Sequence, residues 1–292
     1  MSRLMRIIGQ NCAQHEVCLG LFADWEKDAG ITSGVLPLCL CAALHALALE
    51  RIKHGLVEVY PPNTASDESL WNAVVGAFQQ HEQFIRVWLK STPQTSEVRR
   101  AAPILAGLNY CLSRYPMPVM LSEFGANAGF NLLLDRCSLN AGRTLQPADD
   151  PIVTLSPDWM GVIPAQQPLK IIDRAGVDIN PLNPVDRLDY SRLLSYTWAD
   201  QSDRLDRIKQ IAPHQTTQVE KADAADWLPN RLNAQPLAHY ILCSTQSHCN
   251  ISHKRVTTKS HRRLRRRGNA QHLRDPWDIF RWKFQMILKA QS

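Results

Sequence analysis

The sequence predicts an α/β protein in which a Rossmann-like, doubly wound and mainly parallel sheet follows a helical N-terminal region. Residues 1–115 carry apolar side chains at helical spacing, and from Pro118 onward short apolar strands alternate with helical stretches. This alternation is typical of parallel sheets whose strands are joined by helices. A glycine-containing loop after the first strand indicates the same fold class. The 292 residues, of which 45% are hydrophobic and 21% charged, are enough for one large domain or two modest ones.

Three apolar segments predict the helical region. The first covers residues 36–53 and is apolar on most of its faces. The second begins at Ser66 or Asp67, which are residue types that cap helices, and continues at helical spacing to about Leu89. The third covers residues 95–112.

The sheet domain is predicted over residues 116–242. Five short segments are predicted as its strands, at 119–122, 170–173, 176–181, 218–221 and 238–242. Residues 188–211 have helical spacing, and the proline-rich stretch 138–168 is expected to be an insertion or a lid. These patterns predict domain boundaries after residues 115 and 242.

The most informative segment is a strand that ends at a carboxylate and turns sharply into a predicted helix. Glu123 ends the strand, Gly125 and Gly129 lie in the loop, and residues 130–135 have helical spacing. Gly125 can adopt a positive φ, and Gly129 allows close backbone approach. Such a turn exposes backbone N–H groups of a helix N-terminus to a crevice where ligands bind. The alternative is an ordinary strand, turn and helix of an α/β core.

The glycine pattern of this loop restricts the class of ligand that it can bind. The dinucleotide fingerprint also requires glycine at positions 127 and 130, where this chain has Asn127 and Phe130. The loop therefore fits a mononucleoside ligand better than a pyrophosphate. It resembles the first motif of class I S-adenosylmethionine-dependent methyltransferases, with Asn127 in place of the usual middle glycine.

Two acidic segments follow later strands. Asp178, with Asn180 beside it, is suited to accept hydrogen bonds from ribose hydroxyls. It lies much further from the loop than the usual interval of about 20 residues, and the insertion accounts for the excess. Asp223 can accept a hydrogen bond from the adenine amine, and Ala224 leaves room for the ring. The alternatives are turn-forming residues before Pro181 and a helix N-cap at Asp223.

The chain resembles the DUF2332 family of uncharacterised bacterial proteins from about residue 59 to residue 242. The resembling segments are TSEVRR (95–100), EFGANAGFNL (123–132), DINPLNP (178–184), LSYTWADQ (194–201) and ADAADWL (222–228). The sequence departs from the family pattern at Ser96, where Asn is expected, and at Ala199, where Pro is expected. The resemblance implies a Rossmann-like, methyltransferase-type fold behind a helical N-terminal region, and it implies no particular reaction.

Two polar clusters are candidates for contact with a substrate. The first contains Trp198, Asp200 and Gln201, and the second contains Glu97 and Arg100. The alternative for the first cluster is a core tryptophan beside an exposed ion pair of Asp200 with Arg204 four residues on, which contributes only tenths of a kcal/mol. The alternative for the second is a solvated pair on a helix.

Charge and cysteine content restrict the class of protein. The net charge of +6 comes from residues 243–292, which contain 12 Lys and Arg against 2 Asp and Glu. Eight cysteines show no C-x-x-C pair, which indicates free thiols in a reduced, cytoplasmic protein. The longest apolar run, at 35–49, is too short for a transmembrane span and contains Pro37 and His45. The Cys and His spacings do not match zinc sites, and we expect no metal.

Three interpretations of the C-terminal residues 243–292 are open. A basic arm around HRRLRRR at 261–267 would bind the phosphates of nucleic acid. Helical spacing at the end of the chain favours a helix on a membrane or partner, through Trp277, Phe280, Phe284, Ile287 and Leu288. A reading-frame shift near position 243 would instead remove the last strands of the sheet and leave an out-of-frame, poorly ordered tail. Nucleic acid is therefore a partner only if the basic tail is authentic.

The sequence predicts a small-molecule ligand, S-adenosylmethionine, and leaves the substrate unknown. The residues expected to bind this cofactor are Glu123, Gly125, Asn127, Gly129, Asp178, Asn180, Asp223 and Ala224. Methyl transfer depends chiefly on positioning, and no residue stands out as a general base, so we name no catalytic residue. The alternative is a non-enzymatic binding or scaffold protein with a degenerate Rossmann-like fold, including a frameshifted, inactive copy.

Overall fold

The computed structural model describes residues 1–22, 36–50, 55–91, 93–142, 144–146, 148–233, 241–246 and 284–288. The chain divides into two units, Met1–Ser96 with Pro184–Lys209 and Glu97–Asn183 with Gln210–Ser292. The helices of the described ranges are α1 (Ser2–Asn11), α2 (Glu16–Phe22), α3 (Leu36–Leu49), α4 (Leu56–Val59), α5 (Asp67–Gln80), α6 (Glu82–Leu89), α7 (Ala101–Leu112), α8 (Arg187–Ser195), α9 (Ser202–Ile211) and α10 (Ala224–Asn233). The strands are β1 (Val119–Phe124), β2 (Cys137–Asn140), β3 (Thr144–Gln146), β4 (Val153–Leu155), β5 (Ile171–Asp178), β6 (Val219–Lys221), β7 (Ile241–Gln246) and β8 (Phe284–Leu288).

The first unit is a helical assembly built around α3. This helix is apolar on nearly every face, as expected for a helix surrounded by others, and its side chains from Cys39 to Leu47 are buried. It packs against α4, α6 and α8. Helix α5 begins as predicted, because the Ser66 hydroxyl accepts a hydrogen bond from the Ser69 N–H at 3.0 Å. The prediction of N-terminal helices is confirmed.

Helix α3 contains a buried imidazole. His45 is 3% exposed, and its ring stacks on Tyr60 with centroids 5.7 Å apart. Its Nδ1 lies 3.2 Å from the Ser195 carbonyl oxygen, and it must donate because a carbonyl only accepts. Burial holds the pKa of His45 below its usual 6.5, although the Ser195 and Thr197 carbonyls oppose this shift.

His45 is expected to make the protein less stable in mild acid. The unfolded chain binds a proton near pH 6.5, whereas the buried imidazole binds one only at lower pH. The contribution of His45 to the free energy of unfolding is therefore complete above about pH 6.5 and is lost as the pH falls below it. Urea unfolding between about pH 8 and about pH 5 measures this slope. A His45→Asn variant keeps an N–H donor without a titratable group and should show a smaller decline. Equal slopes would contradict the prediction.

The main sheet of the second unit has five strands in the order β6-β5-β1-β7-β8. Strands β6, β5, β1 and β7 are parallel, and β8 is antiparallel to β7. The sheet therefore begins in its middle at β1, adds β5 and β6 on one side and then β7 and β8 on the other. In open α/β sheets the crevice at such a reversal, outside the carboxyl ends of the strands, is where ligands bind. The predicted α/β fold with a mainly parallel sheet is confirmed.

The proline-rich insertion contains a smaller sheet of its own. Its three strands have the order β3-β2-β4, with β2 antiparallel to β3 and parallel to β4. The chain returning from this sheet is fixed to α7, because the buried Asn109 Oδ1 accepts a hydrogen bond from the Gln167 N–H at 2.6 Å.

Several elements differ in extent from the sequence prediction. The two strands predicted at 170–173 and 176–181 are one strand, β5, whose ladder continues through Gly176 opposite Glu123. The helical stretch predicted over 188–211 is divided into α8 and α9. The helix predicted to end near Leu89 is also two helices, because His81 between them has a non-helical backbone (φ −127°, ψ 28°).

The segment after the glycine loop is not the α-helix that the sequence predicts. Phe130–Arg136 forms 3₁₀ turns that are interrupted at Leu133 (φ −100°, ψ 18°). Arg174 of β5 accounts for this, since its Nη1 donates to the Leu132 carbonyl at 2.6 Å and its guanidinium binds both Asp135 carboxylate oxygens at 2.9 Å. The Leu132 carbonyl is thereby bonded to a side chain. The predicted helix N-terminus facing the crevice is therefore not present in this seven-residue 3₁₀ segment.

Two strands come from the C-terminal part of the chain. β7 continues past position 242 to Gln246, and β8 pairs with it. The prediction of a helix around Phe284–Leu288 is wrong, because these residues form a strand. A short apolar run is compatible with either a helix or a strand, and here the neighbouring strand β7 determines which one forms. The structure thus has two strands where the sequence analysis expected the sheet to be missing. Residues 247–283 and 289–292, including the basic run, lie outside the described residues, and the reading frame of the tail stays a prediction.

The longest helices in the described ranges have 14 residues, α3 and α5. None of the helices described is both long and apolar enough to cross a membrane.

Candidate functional site

The loop that follows β1 has an unusual backbone. Gly125, Asn127 and Gly129 have positive φ values of 60°, 53° and 71°. The positive φ predicted for Gly125 is confirmed. Asn is among the few residues other than glycine that adopt this left-handed conformation readily. The sequence departure at Asn127 therefore preserves the backbone shape that a middle glycine would allow.

Backbone hydrogen bonds fold this loop over the end of β5. The Ala126 N–H donates to the Val177 carbonyl at 3.1 Å, and the Gly129 N–H donates back to the Ala126 carbonyl at 2.7 Å. The Leu182 N–H, beyond β5, donates to the Asn127 carbonyl at 3.3 Å. The loop and the end of β5 therefore form one structure.

Gly176 of β5 allows the loop to lie this close to the strand, a role that was not predicted from the sequence. A Cβ at Gly176 would be 2.9 Å from the Ala126 Cβ and 3.2 Å from the Leu132 Cδ1. This role could have been predicted, because a glycine inside a strand often marks the close approach of another backbone.

Asp178 joins the loop to the end of β5. Its Oδ2 accepts a hydrogen bond from the Asn127 N–H at 2.8 Å, and its Oδ1 accepts one from the Asn180 N–H at 2.8 Å. Its carbonyl accepts a hydrogen bond from the Ala222 N–H at 3.0 Å, which brings the end of β6 alongside. The structure therefore brings Asp178, Asn180, the loop and the residues just before Asp223 together at the carboxyl edge of the sheet.

Asp223 and Ala224 have structural contacts in this arrangement. Asp223 Oδ1 accepts a hydrogen bond from the Ala225 N–H at 2.7 Å, and the Asp223 carbonyl accepts from the Asp226 and Trp227 N–H groups at 3.1 and 3.0 Å. These bonds are those of a residue that caps the start of α10. Ala224 is buried in a small apolar cluster with Val177 and Trp227. As the cap of α10, Asp223 lies at the carboxyl edge of the main sheet, which is where a ligand would bind.

Glu123 lies inside the sheet rather than at its edge. It is fully buried, and its Oε1 accepts a hydrogen bond from the Asn131 Nδ2 at 2.7 Å. In register it is opposite Gly176 of β5 and Thr245 of β7. Its carboxylate therefore attaches the segment after the loop to the middle of the sheet.

The predicted substrate residues of the second unit are Glu97 and Arg100. Glu97 Oε1 accepts a hydrogen bond from the Arg99 N–H at 3.0 Å and so caps the 3₁₀ turn Val98–Arg100. This turn packs beside Phe130–Arg136, the segment that follows the glycine loop.

The predicted substrate residues Trp198, Asp200 and Gln201 belong to the first unit. Trp198 packs against its core, and Asp200 Oδ2 is 3.0 Å from the Met1 ammonium nitrogen. Gln201 Oε1 accepts from Arg204 at 3.2 Å, while the same guanidinium donates to the Ser96 carbonyl at 2.9 and 2.7 Å. These contacts fix the turn between α8 and α9.

Sequence reasoning missed Gln215, which lies between α9 and β6. Its side chain is buried and its Nε2 donates to the Ala128 and Gly129 carbonyls at 2.9 and 2.6 Å. A Cβ on Gly129 would be 2.3 Å from that nitrogen. Nothing in the local sequence indicates this contact, because 86 positions separate Gln215 from Gly129.

No group of three or more His, Cys, Asp or Glu side chains in the described part of the chain could hold a metal ion.

The geometry defines a class: an α/β protein with a mainly parallel sheet whose winding reverses at the strand that carries a glycine loop. The chain belongs to the DUF2332 family, described as "Uncharacterized protein conserved in bacteria", whose model matches residues 1–274. This match covers the whole of the first unit and the second unit up to residue 274, which is past position 243. No curated protein and no solved structure matches the chain.

Proposed function

We propose that this protein binds S-adenosylmethionine at the carboxyl edge of the main sheet, between residues 125–129, Asp178 and Asp223, as a methyltransferase-like protein. The observation that carries the proposal is the 2.8 Å hydrogen bond from the Asn127 N–H to the Asp178 carboxylate. It joins the loop after β1 to the acid at the end of β5, although 51 positions separate the two residues in the sequence.

The residues at this edge fit the proposed ligand in shape. Residues 125–129 have no side chain larger than Asn, and the positive φ values of Gly125 and Gly129 fold the loop tightly. A carboxylate has about four acceptor positions, so Asp178 can accept from ribose hydroxyls while it retains its two backbone partners. Asp223 offers a second acceptor for the adenine amine.

The charge of the edge also favours this ligand over a nucleotide. Asp178 ends β5 and Asp223 follows β6 at the same edge of the sheet, and negative side chains repel a phosphate. S-adenosylmethionine carries a sulfonium and an ammonium against one carboxylate, so its net charge is positive. Two acids beside the loop attract such a ligand.

The chain's residues would act mainly by orientation. The bound ligand would supply an electrophilic methyl group on its sulfonium. The loop and Asp178 would fix the nucleoside, and the turn containing Glu97 and Arg100 is a candidate for holding the acceptor. Orienting two reactants in this way lowers the barrier without a general base on the protein.

Isothermal calorimetry and thermal unfolding with S-adenosylmethionine test the proposal. At a free ligand concentration 100 times Kd, the free energy of unfolding should rise by about 2.7 kcal/mol. S-adenosylhomocysteine should also bind, because it retains the nucleoside. ATP should bind more weakly, because its phosphates meet the acids of the edge. Absence of any shift at millimolar S-adenosylmethionine would contradict the proposal.

A Gly125→Val variant is expected to lose this binding. A β-branched residue strongly disfavours the φ of 60° at this position, so the loop cannot keep its shape. Calorimetry measures the loss. The control is Gly55→Val, because Gly55 in the first unit has a φ of 77° and, its chain neighbours aside, no atom of the described residues lies within 4 Å of its Cβ position. The control should lose stability and keep the ligand. If a protein partner binds Gly125→Val while no small molecule binds the wild type, the scaffold alternative is correct.

A further inference from the structure

Both the nitrogen and the oxygen of the Gln215 side-chain amide form hydrogen bonds within the protein. It is 6% exposed, and its Nε2 donates to the Ala128 carbonyl at 2.9 Å and to the Gly129 carbonyl at 2.6 Å. Its Oε1 accepts a hydrogen bond from the Thr217 N–H at 3.0 Å. Two carbonyl acceptors require an N–H₂ group between them, so neither Glu nor an apolar residue of the same size can replace this amide.

These bonds determine how the end of the loop is oriented. In a planar trans peptide the C=O and N–H groups point in opposite directions. Because the Gly129 carbonyl points at Gln215, the N–H of Phe130 points away from Gln215. Glycine adopts the φ of 71° at Gly129 without strain but can leave it as easily, so the two hydrogen bonds from Gln215 select one of the conformations open to it.

We infer that Gln215 is a positioning residue that holds the glycine loop in the conformation that receives the ligand. This inference rests on the proposed function for its ligand, whereas the effect on the loop can be measured without any ligand. Gln215 acts on carbonyls of the loop and is not a catalytic residue.

The experiment compares Gln215→Glu and Gln215→Met, which have nearly the same size as glutamine. Hydrogen exchange of the peptide covering residues 125–132 reports on the loop, and calorimetry reports the Kd for S-adenosylmethionine. Both variants should show loop exchange about tenfold faster and a Kd about tenfold higher than the wild type at neutral pH. Gln210→Glu is the matched control, because Gln210 is exposed on α9, and it should change neither quantity.

The pH dependence distinguishes a lost donor from a general loss of packing. In Gln215→Glu, a protonated carboxyl can donate one hydrogen bond to a loop carbonyl. Its burial also favours the protonated form. As the pH is lowered toward about 5, this variant should recover wild-type loop exchange in part, while Gln215→Met should not.

The outcomes separate the inference from the proposed function. Faster loop exchange in both variants, with acid recovery only in Gln215→Glu, supports the inference even if the wild type binds no S-adenosylmethionine; in that case the proposed function alone fails. Wild-type loop exchange in both variants would overturn the inference. Equal loss in both variants at every pH would also overturn it, because packing rather than the donor would then be responsible.

Discussion

A Gly129→Ala variant is expected to be less stable than the wild type by about 2–5 kcal/mol. The left-handed conformation at φ 71° costs an L-residue about 1–2 kcal/mol. The new Cβ would also lie 2.3 Å from the Gln215 Nε2 and 3.0 Å from the Val219 Cγ2, and such overpacking costs about 1–3 kcal/mol. Moving Gln215 aside would break both of its hydrogen bonds to the loop. Denaturant unfolding measures the loss.

Two other glycines separate these contributions. Gly55→Ala has a similar φ of 77° but open space, so it should lose only the conformational part, about 1–2 kcal/mol. Gly9→Ala, inside α1 and also in open space, should be neutral or gain up to about 1 kcal/mol. If Gly129→Ala and Gly55→Ala lose the same free energy, the clash with Gln215 does not contribute.

The features that the sequence predicted correctly have local causes. The spacing of apolar residues changes from helical to strand-like after Pro118, because each element buries one or both of its own faces. This change predicted the fold class. The positive φ of Gly125 follows from a tight turn after a strand. The Ser66 cap likewise depends only on a hydroxyl three residues before an N–H.

The features that the sequence did not predict depend on distant partners. Arg174, 39 positions from Asp135, draws the chain after the loop into 3₁₀ turns instead of a helix. Phe284–Leu288 is a strand because β7 is beside it, although its own apolar spacing also suits a helix. The role of Gln215 similarly depends on the fold that brings it to Gly129.

The proposed cofactor site combines features of both kinds. Glu123, Gly125 and Asp178 were predicted from residue type and position, and the structure joins Asp178 to the loop that contains Gly125 through the Asn127 N–H. It also gives Glu123 a buried place that residue type alone does not reveal. A carboxylate near the end of a strand can lie at the edge of the sheet or be buried within it. Only the packing of the segment that follows determines which of these positions it takes.

Asp178 holds the loop and would also bind the ligand, so Asp178→Asn is expected to affect both. The carboxylate uses a different oxygen for each backbone N–H, at 2.8 Å each, whereas an amide has only one oxygen. One of the two N–H groups would face an NH₂ group, which costs about 1–3 kcal/mol of stability. Loss of a charged acceptor for the ribose costs about 1.5–3 kcal/mol, which raises the Kd for S-adenosylmethionine about 10- to 100-fold.

Asp186→Asn is the control for this substitution. Asp186 also accepts two backbone N–H groups, from Leu188 at 2.9 Å and Asp189 at 3.0 Å, but both bond to the same oxygen, Oδ1. Asparagine keeps that oxygen and caps helices as well as aspartate does, so stability should change by less than about 0.5 kcal/mol. The Kd for S-adenosylmethionine should not change. Equal effects of the two substitutions on the Kd would mean that net charge, and not the two-oxygen geometry of Asp178, determines binding.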